Sequence, residues 1–128
     1  NTSVQLPDDP TVYGIGGRRG DRREDVEQYV DNISEEVKCR YGGAMVADVQ
    51  QVLSFGGVYG YPTVGGYPNG KLRGLVEVVP MAYIVETAGG ASTVGTKSAL
   101  EVPFEVCHDR TPVLMGNQSL VERAPDEL

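Results

Sequence analysis

Apolar residues recur along this chain at two periods. Val26, Tyr29, Val30, Ile33 and Val37 stand three and four apart with acidic residues between them, which predicts an amphipathic helix over Asp21 to Glu36. Met45, Val46, Val49, Val52 and Leu53 repeat that spacing over Ala44 to Ser54, with Gly56 placed to end the helix. Leu72 to Ala88 is long and apolar but contains Pro80. A helix is therefore expected from Val78 or Val79, with Pro80 in its first turn, Met81, Ile84, Val85 and Ala88 as its core face and Gly89 just past its end. Asn117 to Arg123 reads as a last short helix capped by Asn117 or Ser119. Between these lie strand-like segments at Thr11 to Ile15, Val58 to Tyr61 and Pro112 to Met115, and turn chemistry at Pro68-Asn69-Gly70. Helices that alternate with short strands predict α/β layers.

Composition narrows the class. The 128 residues suit one domain, and 40% hydrophobic with 23% charged residues suits a soluble globular protein. The net charge of −7 argues against nucleic acid as a partner, so any bound phosphate must meet a local basic site. No apolar run reaches the roughly 18 residues of a membrane span, so no membrane partner is expected. Asn1 to Pro10 lack the basic and apolar regions of a secretory signal, and a chain that starts at Asn reads as a piece of something longer. Cys39 and Cys107 have neither metal nor redox spacing and read as reduced, partly buried thiols in a cytoplasmic protein. His108 is the single histidine, so a Ser-His-Asp arrangement would rest on it alone. Ala124 to Leu128 look like a frayed tail.

Few residues remain that could carry chemistry. Lys71 follows the Pro-Asn-Gly turn, where exposed backbone amides beside a lysine suit an anion; a solvated loop lysine is the plainer alternative. Arg40 and Tyr41 precede Gly42-Gly43 and could both donate to a phosphate, or form ordinary surface. Tyr59, Tyr61 and Tyr67 surround one glycine loop, as rim packing or as phenol donors. Glu77 is isolated in an apolar run, which fits a helix N-terminus or a divalent-cation ligand. Arg18, Arg19, Arg22 and Arg23 could attract phosphate, or balance Asp21, Glu24 and Asp25. Gly14-Ile15-Gly16-Gly17 fits no dinucleotide register.

In combination these segments are more specific. Arg40-Tyr41-Gly42-Gly43-Ala44-Met45-Val46-Ala47-Asp48-Val49 and Phe55-Gly56-Gly57-Val58-Tyr59-Gly60-Tyr61-Pro62 strongly resemble the class I fructose-1,6-bisphosphatase family. Tyr67 to Arg73, Glu77, Pro80 to Tyr83, Gly89-Gly90 and His108 to Val113 continue the resemblance in order, so that it runs from about Val37 to Val121. The resemblance implies the C-terminal, sugar-phosphate-binding half of that fold, a layered α/β/α domain with a central mixed sheet. It implies a family-like core over 37–121, a divergent stretch over 1–36 and a tail over 122–128.

It also implies roles. Tyr41, Tyr61 and Lys71 would hold the 6-phosphate, and the Met45 backbone would contact the sugar. Arg40 would reach the phosphate of a neighbouring subunit, and Glu77 would give one carboxylate to a magnesium cluster. The rest of the family's metal site, built on an Asp-Pro-hydrophobic-Asp-Gly-Ser run, has no counterpart in this chain. Two further 6-phosphate ligands, an asparagine and a tyrosine, are replaced in the stretch Tyr13 to Arg19, where Arg18 or Arg19 would substitute.

The expectation is thus a partial sugar bisphosphatase, a phosphoric monoester hydrolase inactive as an isolated chain. Its partners would be fructose 1,6-bisphosphate or fructose 6-phosphate, and a second copy or a complementary N-terminal half, with an apolar interface between halves. The alternatives are a stand-alone sugar-phosphate-binding module and a piece of a sedoheptulose bisphosphatase.

Overall fold

The computed structural model describes residues 5–17, 20–64, 72–73, 77–95, 97–101 and 110–128. The elements in chain order are β1 (Val12–Ile15), α1 (Glu24–Ile33), β2 (Lys38–Cys39), α2 (Met45–Phe55), β3 (Gly57–Tyr61), β4 (Leu72–Arg73), α3 (Val79–Thr87), β5 (Ala91–Thr93), β6 (Arg110–Thr111), β7 (Val113–Gly116) and α4 (Gln118–Val121). Five strands form one mixed sheet in the order β2-β1-β3-β7-β5. β1 pairs parallel with β2 and β3, while β7 pairs antiparallel with β3 and β5. β4 and β6 form a separate antiparallel pair.

Strand alternation divides the core between the two sheet faces. Ile15, Val58 and Leu114 turn to one face and pack with Val26, Tyr29, Val30 and Ile33 of α1 and Leu120 of α4. Tyr59, Val113 and Met115 turn to the other and pack with Val49 and Val52 of α2 and Val78, Ala82 and Val85 beside and along α3. The result is the expected α/β/α layering with a central mixed sheet.

The long periodic segments are where the pattern put them, with shifted ends. α1 runs over Glu24–Ile33, shorter than Asp21 to Glu36. Arg22 is committed instead to the glycine loop before it, and Ser34 closes the helix through its hydroxyl on the Asp31 carbonyl. α3 begins at Val79 with Pro80 in its first turn, as expected, but its core face is rotated. Ala82 and Val85 are buried, whereas Ile84 is exposed and Met81 half-buried, because these two line a groove shared with α2. Asn117 is the residue before α4, yet its side chain does not cap the helix. Its amide instead accepts from Gly57 N–H at 2.8 Å and donates to the Pro7 carbonyl at 2.7 Å, tying β3 to the N-terminal segment.

Two other expectations are corrected. The last residues are not frayed: Leu128 is buried in the α1-side core, and its carbonyl accepts from Thr63 N–H at 2.8 Å. Cys39 is exposed on edge strand β2 rather than partly buried. Cys107, His108 and the Pro68-Asn69-Gly70 turn lie outside the described residues.

Candidate functional site

The C-terminal ends of parallel strands β1 and β3 and the N-terminal end of α2 meet in one region. Arg40 N–H donates to the Tyr13 carbonyl at 2.7 Å, which carries the chain from β2 past β1 and into the Tyr41-Gly42-Gly43 loop. Gly43, at φ +80°, then turns the chain into α2. The residue before α2, Ala44, supplies no side-chain cap, so the first-turn amides, that of Met45 among them, have no intrahelical acceptor. Such an end carries partial positive charge and suits an anion or a hydroxyl oxygen.

Three phenols gather beside it. Tyr41 is 39% exposed and its ring lies over Gly14. Tyr61 ends β3 with its ring over Gly16, and Tyr59, two residues earlier, is buried. Partial burial, then Tyr61 and Asp48, push the Tyr41 phenol above its ordinary 10.0. Burial raises Tyr59 further, followed by Tyr41, Asp48, Glu77 and Tyr61. Tyr41, Tyr59, Tyr61, Asp48 and Glu77 therefore share one electrostatic neighbourhood. Phenols raised in this way remain neutral hydrogen-bond donors at physiological pH.

Glu77 is half-buried immediately before α3. Its charge sits near the positive end of that helix and acts on Tyr59. Among the described residues no group of three His, Cys, Asp or Glu could hold a metal ion, so Glu77 would supply one ligand of an incomplete shell.

Arg40 is not in the phenol group. Its side chain lines a separate cavity of about 390 Å³ along edge strand β2, with Thr11, Val12, Glu36, Lys38 and Phe55. Arg22 and Arg23 meet protein partners. The Arg22 guanidinium donates to the carbonyls of Ile15, Gly16 and Gly17 at 3.1, 2.9 and 2.9 Å and pairs with Glu27 at 2.7 Å. Arg23 pairs with Asp25 and Glu127 on the surface. Arg18, Arg19, Tyr67 and Lys71 lie outside the described residues.

Asp48 escaped the sequence reading. It is 3% exposed, and its Oδ1 accepts from Gly42 N–H at 2.8 Å. The signal was present: an aspartate at the buried phase of α2, between Met45 and Val52.

Residues 6–127 match the family profile described as the fructose-1,6-bisphosphatase C-terminal domain. The chain belongs to this family. It is 52% identical over 118 residues to the class 1 fructose-1,6-bisphosphatase of Halobacterium salinarum, which covers 92% of this chain and 41% of that protein. It is 38% identical over 123 residues to the class 1 protein of Persephonella marina, covering 94% of this chain and 38% of the relative. The crystal structure of Leishmania major fructose-1,6-bisphosphatase in holo form superposes with a TM-score of 0.86 at 34% identity, over 94% of this chain and 39% of that one. The chain thus spans about two fifths of the length of these family members. The family match begins well upstream of Val37. No helix among the described residues is long and apolar enough to cross a membrane.

Proposed function

We propose that this chain is the sugar-phosphate-holding part of a fructose-1,6-bisphosphatase. The observation that carries this reading is the convergence of Tyr41 and Tyr61 on the open N-terminal end of α2, within a chain that matches the family along residues 6–127. The two phenols and Lys71 receive the 6-phosphate of fructose 1,6-bisphosphate, and the Met45 amide meets a sugar oxygen. Neutral phenols and helix amides donate without requiring a basic surface, which suits a chain of net charge −7. Arg18 or Arg19 adds a further phosphate contact. Arg40, set apart on the β2 edge, serves the same site of a second copy.

This part orients the substrate by the phosphate that is not cleaved. Glu77 contributes a carboxylate toward a magnesium site whose other ligands come from the portion that the longer relatives have and this chain does not. A metal held there would supply polarisation of the scissile phosphoryl group and activation of a water. The apolar groove between α2 and α3, about 380 Å³ and flanked by exposed Val46 and Ile84, receives that portion.

A chimera tests the reading. This chain replaces the C-terminal 41% of the Halobacterium salinarum relative. The folded chimera should release phosphate from fructose 1,6-bisphosphate in magnesium, with Glu77→Gln abolishing turnover and Tyr61→Phe raising KM. A folded chimera that releases no phosphate refutes it.

A further inference from the structure

Asp48 poses an energetic problem. Its carboxylate is 3% exposed and, among the described residues, only one of its oxygens is used. Oδ2 has no hydrogen-bond partner among the described residues. Burying a carboxylate with an oxygen unsatisfied costs stability. An alanine in that helical position would have the higher helix propensity and leave no orphaned acceptor. The positive end of α2 offsets part of that cost, but the unsatisfied oxygen remains, and such residues gather where a site needs them.

Oδ1 reaches back from the first turn of α2 to Gly42 N–H, across the loop that carries Tyr41. The contact is close: a Cβ on Gly42 would stand 3.0 Å from Oδ1, so a larger residue there would make the carboxylate shift by a few tenths of an ångström. A hydrogen bond from an amide to a carboxylate is stronger than one to a neutral acceptor. The loop is otherwise exposed from Arg40 through Ala44. Among the described residues little else fixes it between the Arg40–Tyr13 backbone bond and the start of the helix.

We propose that Asp48 is a positioning residue: it clamps the Gly42 amide and thereby holds Tyr41 and the open end of α2 in the arrangement that receives the sugar phosphate. The proposal rests on the reading of the site given above. It assigns Asp48 no contact with the substrate.

The test uses this chain, fructose 6-phosphate as the probe, and two variants. Asp48→Asn keeps an acceptor oxygen for Gly42, whereas Asp48→Ala removes it. Calorimetric titration should give Asp48→Asn an affinity within about threefold of wild type and Asp48→Ala a loss of at least about tenfold. The Tm of Asp48→Ala should change little, because removing the orphaned oxygen offsets the loss of the clamp and of the charge at the helix end. Without any ligand, the Gly42 amide should exchange with deuterium slowly in wild type and Asp48→Asn and quickly in Asp48→Ala. Equal affinity in all three proteins overturns the proposal and leaves the site standing. An Asp48→Asn protein as weak as Asp48→Ala overturns the hydrogen-bond basis of the clamp. A wild-type chain that binds no fructose 6-phosphate overturns the reading of the site, and the proposal with it; normal Gly42 protection identifies that case.

Discussion

The ring of Tyr61 occupies the space in which any residue but glycine at position 16 would carry its side chain. A Cβ on Gly16 would stand 2.2 Å from Tyr61 Cδ2 and 2.3 Å from Cε2, separations that no packed protein tolerates. The phenol that ends β3 is thus seated directly on the backbone that leaves β1, whose Gly16 N–H donates to the Gly60 carbonyl at 2.9 Å.

Gly16→Ala should therefore act on ligand binding as well as on stability. Overpacking of this kind costs roughly 1–3 kcal/mol, and it is relieved most easily by swinging the half-buried Tyr61 ring outward. Fructose 6-phosphate affinity should fall with the tyrosine displaced, and denaturant titration should show the matching stability loss. A Gly16→Ala protein with wild-type affinity would separate Tyr61 from the site.

Arg22 should prove structural. Its guanidinium is largely buried and serves three carbonyls and Glu27 together, a fork that a lysine ammonium cannot reproduce. Removing one partner of a buried pair costs roughly 3–5 kcal/mol, so Arg22→Ala should lower Tm by roughly 10–20 °C. Arg22→Lys should recover only a minor part of that loss. A lysine variant as stable as wild type would mean that charge alone, not the fork, holds the glycine loop.

Alkaline pH should expose the buried phenols. Tyr29 donates to the Leu120 carbonyl at 2.8 Å, and burial pushes its phenol well above the ordinary 10.0, with Arg123 opposing. Tyr59 is raised in the same direction. The folded state thus keeps both protons longer than the unfolded chain does. The stability this linkage supplies is complete below about pH 10 and is lost as pH rises through the folded-state values. In a titration followed at the phenolate absorbance, two of the seven tyrosines should ionise only together with the loss of circular dichroism. Seven phenols ionising near pH 10 in a protein that stays folded would contradict their burial.

How much of this was legible beforehand follows from the physics of each element. α1 and α2 declare themselves because about three turns of one-sided apolar spacing do not read as a strand, and α3 because Pro80 marks the start of its apolar run. β2, β4, β5 and β6 are only two or three residues long, too short to show alternation, and they exist because neighbouring strands recruit them. The rotated face of α3 depends on where α2 lies, which no local pattern encodes.

In the site, Tyr41 and Tyr61 stood out as phenols beside glycines, and the fold brings them together. Arg22 looked like the arginines around it; only the carbonyls it meets distinguish it. Asp48 was concealed by the apolar face that it interrupts.

The most direct measurement is a thermal-shift titration of this chain with fructose 6-phosphate, with inorganic phosphate as the control. A ligand at a hundred times its Kd stabilises by about 2.7 kcal/mol, or roughly 10 °C in a domain of this size. Tm should rise saturably with the sugar phosphate, beyond what equimolar phosphate produces, and the rise should shrink in Tyr41→Phe. No rise, or the same rise with phosphate, would contradict the claim that this chain carries a formed sugar-phosphate site.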